Sequence, residues 1–151
     1  MILYPDVNVL IALFDASHQH HGIAGDLFTN GMPNGWASSP ITENGFIRIV
    51  SHPSYINSMS VRDASDLLGS AIRNTTHQRL QEDLSLLDTA RFNTSHLVSH
   101  KQVTDLYLIG MAVRHDVCLV TFDRTIPTHA AIGSADRHIK TLWSNLDRRQ
   151  H

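Results

Sequence analysis

Four acidic residues sit where carboxylates can do chemistry together: Asp6, Glu43, Asp105 and Asp123. Asp6 interrupts the apolar opening "MILYPDVNVLIALFD", and Asp123 closes the apolar, β-branched run "DVCLVTFD". Glu43 follows "GWASSP" closely, and Asp105 lies near the start of "VTDLYLIGMAVRHD". Carboxylates brought within a few ångströms repel by roughly 1–4 kcal/mol per pair. A divalent cation removes that cost, and hard oxygen ligands select magnesium, or manganese, over zinc. Such an ion lowers the pKa of a bound water and stabilises charge on a phosphodiester under attack. An acid-only site without a histidine pair therefore predicts hydrolysis to a 5′-phosphate and a 3′-hydroxyl.

The acids can meet only if the chain carries them to one place. Met1 to Pro5 reads as a short buried strand, and Val7 to Phe14 as a helix with Val7, Leu10, Ile11 and Phe14 at helical spacing. A second helix places Ile23, Ala24, Leu27 and Phe28 on one face and stops near Gly31. "GWASSP" predicts a brief strand; Ser39 caps the next helix with Pro40 in its first position, and Pro53 ends it. Ser51 to Ser60 is loop-like. Ser60 and Asp63 open a further helix as a capping box. "LSLLD" predicts a strand, Val103 to Arg114 a helix, Val117 to Phe122 a buried strand and "HIKTLW" a last strand. Strands separated by helices pair in parallel, which predicts one α/β domain over residues 1–151, a three-layer α/β/α sandwich with a central, mainly parallel sheet. In such a sheet the carboxyl ends of the strands share one edge, where open α/β folds place their sites. All four acids fall at that edge.

Each acid also has a plain structural role open to it. Asp6 can cap the helix from Val7, worth about 1 kcal/mol. Glu43 and Asp105 suit the positive ends of helix dipoles, at about 0.3–1 kcal/mol each, and Asp123 suits a turn. What favours chemistry is that all four share one predicted edge. Two rivals use the same residues. A haloacid-dehalogenase-type phosphatase also puts an aspartate after its first strand, but it wants a second one two residues on, where this chain has Asn8. A non-catalytic module would use the acids only to bind a metal or a partner protein.

Composition sets bounds. The chain has 151 residues, a formal net charge of −2 and a single cysteine. That excludes a uniformly basic surface, so attraction to a nucleic acid must come from a local patch. For it we nominate Arg48, Lys101 and Arg124, with a salt bridge from Arg48 to Glu43 as the competing account. Arg148 and Arg149 suit a tail. Cys118 alternates within a buried strand and suits packing; with no disulfide framework the expectation is a reducing, cytoplasmic setting. No stretch reaches membrane-spanning length. Of eleven histidines, His18, His20 and His21 form a cluster that suits a solvated helix face better than zinc. His52 and His100 suit exposed loops or an RNA path. Trp36 suits burial, and Tyr55 is a candidate for base stacking.

The segments "PDVNVLIALFD", "SSPITENGFIRIVSHP", "VTDLYLIGMAVRHD" and "CLVTFD" resemble, in order and spacing, the acidic motifs of PIN-domain nucleases. The nearest branch is the VapC-type toxins of bacterial toxin–antitoxin pairs, and the resemblance spans nearly the whole chain. It implies an α/β/α sandwich, magnesium-dependent endoribonuclease activity, inhibition by a cognate antitoxin and a homodimer. Carried over by position, it makes Asp6 and Asp105 the principal metal ligands, with Glu43 and Asp123 completing the cluster directly or through water. It also makes Asn8 a hydrogen-bonding partner that orients Asp6, with similar supporting roles for Thr104 and Thr121. The chain departs from the pattern at Tyr4-Pro5, where many members run straight from apolar residues into the acid.

Overall fold

Alternation along three short strands decides the architecture. The computed structural model describes residues 1–30, 34–97 and 99–143. Strands β1 (Leu3–Pro5), β2 (Trp36–Ser38), β3 (His77–Arg79), β4 (Cys118–Thr121) and β5 (Ile139–Thr141) form one sheet in the order β3-β2-β1-β4-β5. Every pairing is parallel, with Leu3 opposite both Trp36 and Cys118, and Trp36 opposite His77. Successive side chains point to opposite faces. Leu3, Trp36, Cys118 and Val120 therefore pack beneath α1 (Val7–Phe14), α2 (His21–Asn30), α3 (Pro40–Val50) and α4 (Val61–Asn74). Tyr4, Ala37 and Leu119 pack on the other face, against α5 (Val103–His115) and the connection that carries Leu80 and Phe92. The expected α/β/α sandwich is thus built with an entirely parallel sheet.

The helix starts carry their caps where the sequence put them. Asp6 caps α1 by accepting from the Val9 N–H at 2.9 Å. Ser60 Oγ accepts from the Asp63 N–H at 3.0 Å, but no reciprocal bond from Asp63 completes the box among the described residues. At α3 the roles shift. The Ser39 hydroxyl turns to the buried Tyr4 hydroxyl, 2.8 Å away, and Thr42 Oγ1 accepts from the Ser39 N–H at 3.1 Å. Helix α3 ends at Val50, three residues before Pro53, and 51–60 is irregular.

One expected strand is absent. "LSLLD" is a turn-bearing connection in which Leu84 and Leu86 are half-buried against the core under α5. Two leucines two residues apart imitate strand alternation while anchoring a loop. The fifth strand is instead His77–Arg79, whose polar residues lie on the sheet's edge. Gly31, Asp147, Arg148 and Arg149 lie outside the described residues. No helix among the described residues is long and apolar enough to cross a membrane.

Candidate active site

The carboxyl end of β1 passes directly into the cap of α1, so Asp6 is fixed by both elements at once. Its backbone N–H donates to the Val120 carbonyl at 2.9 Å, and the residue is 7% exposed. Burial pushes the Asp6 carboxyl up to about 6; the charges of Asp105 and Asp123 add to the rise, while Thr121 and the Val9 amide oppose it. Asp105, in the first turn of α5, is raised as well, first by burial and then by Asp123. Three of the four nominated acids therefore feel one another across β1, α5 and the end of β4. A carboxylate this buried, with two more pressing on it, is costly when ionised. An all-oxygen set under such strain suits a hard divalent cation. Among the described residues no group of three or more is gathered tightly enough to hold an ion as it stands.

Asp123 has a local role too. Its Oδ1 accepts from the Thr125 N–H and hydroxyl, both at 2.7 Å, which folds the turn after β4. Its own N–H donates to Thr121 Oγ1 at 3.0 Å. Thr121, fully buried, thus braces Asp123 and lowers the Asp6 carboxyl. The other two supporting residues behave differently. Asn8 and Thr104 are exposed, and neither bonds an acid among the described residues. On the first turn of α1 the Asn8 side chain faces solvent, and the Val9 amide does the orienting.

Glu43 is engaged by a separate network. Its Oε2 accepts from Ser38 Oγ at 2.6 Å and its Oε1 from the Arg79 guanidinium at 2.9 Å. Ser38 Oγ also lies 2.8 Å from His77 Nε2. A carboxylate only accepts, so the serine proton goes to Glu43 and His77 Nε2 must donate to Ser38. His77 stacks edge-on against Trp36, with centroids 4.5 Å apart, and burial holds its imidazole below the ordinary value. The Arg48–Glu43 salt bridge does not form; Arg79 takes that place. The sequence offered no signal for Ser38, His77 or Arg79, because what joins them is the pairing of β2 with β3.

The remaining nominees are scattered. Arg48 is exposed at the end of α3, beside His52 and Tyr55. Lys101 is exposed in the tight turn before α5. The Arg124 guanidinium lies over the Trp143 ring. Tyr55 donates its hydroxyl to Asp15, Trp36 is buried with its indole N–H on Thr75 Oγ1 at 2.8 Å, and Cys118 is buried. The histidine cluster is not a solvated face. His20 packs on Phe122 with centroids 4.7 Å apart. His18 Nδ1 accepts from the His20 N–H at 3.0 Å, and His21 Nδ1 donates to the Ala12 carbonyl at 2.7 Å. Among the described residues no third ligand joins these histidines to make a metal site.

No protein-family model matches the chain. Curated relatives do. Ribonuclease VapC44 of Mycobacterium tuberculosis is 44% identical over 137 residues, covering 91% of this chain and 96% of the relative. Ribonuclease VapC38 of the same organism is 38% identical over 126 residues, 83% of this chain and 87% of the relative. Ribonuclease VapC39, also from that organism, is 37% identical over 129 residues, 85% and 93% respectively. Likeness at this level along nearly the full length of both partners means that the chain belongs to the VapC ribonuclease family.

Proposed function

We propose that this protein is a metal-dependent endoribonuclease, the toxin of a type II toxin–antitoxin pair, acting in the cytoplasm as a homodimer held in check by a cognate antitoxin. The observation that carries the catalytic part is the buried Asp6 carboxyl, raised to about 6 with Asp105 and Asp123 adding to the rise. Kinship to proteins named ribonuclease VapC supplies the substrate class.

Asp6, Asp105 and Asp123 would hold magnesium, with manganese able to substitute. Glu43, whose two oxygens already accept from Ser38 and Arg79, would act through water. When bound, the cation supplies an activated water and neutralises charge on the phosphodiester. The chain's part is to keep the donors in place. The Val9 amide fixes Asp6, Thr121 braces Asp123, and α5 presents Asp105 from its first turn. No histidine is needed to pass a proton through the 2′-hydroxyl, so the leaving oxygen is the 3′ one.

Incubating the purified protein with structured RNAs, in magnesium or in EDTA, tests the proposal. We expect cleavage with magnesium alone, leaving a 5′-phosphate and a 3′-hydroxyl. A 2′,3′-cyclic phosphate would overturn the mechanism, and intact RNA under all conditions would favour a non-catalytic binding module.

A further inference from the structure

RNA must approach an edge lined by Asp6, Asp105 and Asp123 in a chain whose net charge is already negative. A polyanion meets repulsion there unless a cationic group is held in position beside the acids. Arg79 is placed to be that group. It ends β3 at the register of Ser38, and β1, which leads into Asp6, is the next strand beyond β2. Two strand spacings put its backbone about 10 Å along the edge from that of Pro5, the residue before Asp6.

Its side chain is 67% exposed, yet it is aimed. An exposed ion pair by itself contributes little to stability. This one stands on a support that an ordinary surface pair lacks. Glu43 is only 15% exposed in its side chain, and its other oxygen is held by the fully buried Ser38, which His77 holds in turn. Glu43 engages one of the five guanidinium N–H donors; the others have no partner among the described residues. A planar donor fork held at one terminal nitrogen and otherwise open to solvent suits the oxygens of a phosphate.

We propose that Arg79 binds a phosphate of the RNA strand flanking the scissile one, aimed by the Glu43–Ser38–His77 relay. This rests on the ribonuclease reading above. A purely structural Arg79 would only neutralise Glu43 and would leave RNA binding untouched.

The salt dependence of binding separates the two. The probe is a fluorescein-labelled, mixed-sequence single-stranded RNA oligonucleotide, its anisotropy followed in EDTA across a potassium chloride series. Arg79→Ala should lower the slope of log affinity against log salt by about 0.7, the value of one phosphate contact on a single strand. Arg79→Lys should keep the slope, as should Arg62→Ala, which removes an exposed cation from α4. Melting curves confirm that each variant is folded. An Arg79→Ala slope equal to that of a wild type that binds overturns the assignment and leaves the ribonuclease reading standing. An equal loss in Arg62→Ala overturns it too, since diffuse charge then suffices. A wild type that does not bind this RNA overturns the assignment, and if it also cleaves no RNA the ribonuclease reading falls with it.

Discussion

Asp6 does two jobs with one carboxylate, and they can be separated by a single atom. As a cap it accepts from the Val9 N–H, which asparagine does equally well. As a buried charge it is a burden that a proton or a bound cation relieves. Asp6→Asn should therefore abolish RNA cleavage while raising the melting temperature measured in EDTA at pH 7. The sign of the pH dependence follows. Unfolded, the group titrates near 3.8; folded, near 6. The folded chain holds the proton more tightly, so stability is lost as pH rises from about 4 through 6, and the full penalty stands above that. Two pKa units correspond to about 3 kcal/mol at most. Wild type in EDTA should thus melt higher at pH 5 than at pH 7, and the gap between Asp6→Asn and wild type should narrow at pH 5. A gap that does not vary with pH would mean that Asp6 is ionised at no cost. The acids were legible in the sequence because each marks the end of an apolar strand or the start of a helix. Arg79 was not, since nothing around "HQR" alternates and its partner Glu43 lies 36 residues away.

At the level of elements, close approach matters more than propensity. Gly110 lies mid-way along α5, where alanine would ordinarily gain about 1 kcal/mol of helix propensity. A Cβ there would sit 2.3 Å from the Phe92 ring, and Phe92 is buried at 2% exposure with no room to withdraw. Gly110→Ala should cost about 1–3 kcal/mol net, read as a lower urea midpoint, with cleavage falling as α5 and its Asp105 shift. An unchanged midpoint would show that the loop carrying Phe92 yields freely. The same loop explains the strand that sequence pattern misplaced. Leu84 and Leu86 alternate because the connection lies along α5, not because it pairs with a neighbour. The strands β1 and β4 were readable because their burial on both faces leaves nearly continuous apolar runs, and β2 because Trp36 and Ala37 run straight into the Ser39–Pro40 helix start. The edge strand β3 is half solvated and takes its register from β2 rather than from its own residues.

For the whole molecule, a shared ion would tie together elements that meet nowhere else in sequence. Asp6, Asp105 and Asp123 come from β1, α5 and the loop after β4. Magnesium or manganese should raise the melting temperature in a concentration-dependent way, by about 2.7 kcal/mol of stability at a hundredfold excess over Kd. Asp6→Asn should lose most of that response. If the two curves respond alike, the ion binds elsewhere. The pairing of β1 with β4 sets Leu3 beside Cys118, so the centre of the sheet closes only when the third residue meets one more than a hundred positions later. Contacts this distant form late and slowly. A chain still leaving the ribosome has Asp6 but not yet β4, whose Val120 carbonyl and Thr121 complete its surroundings, so the acidic edge is assembled only after β4 has emerged.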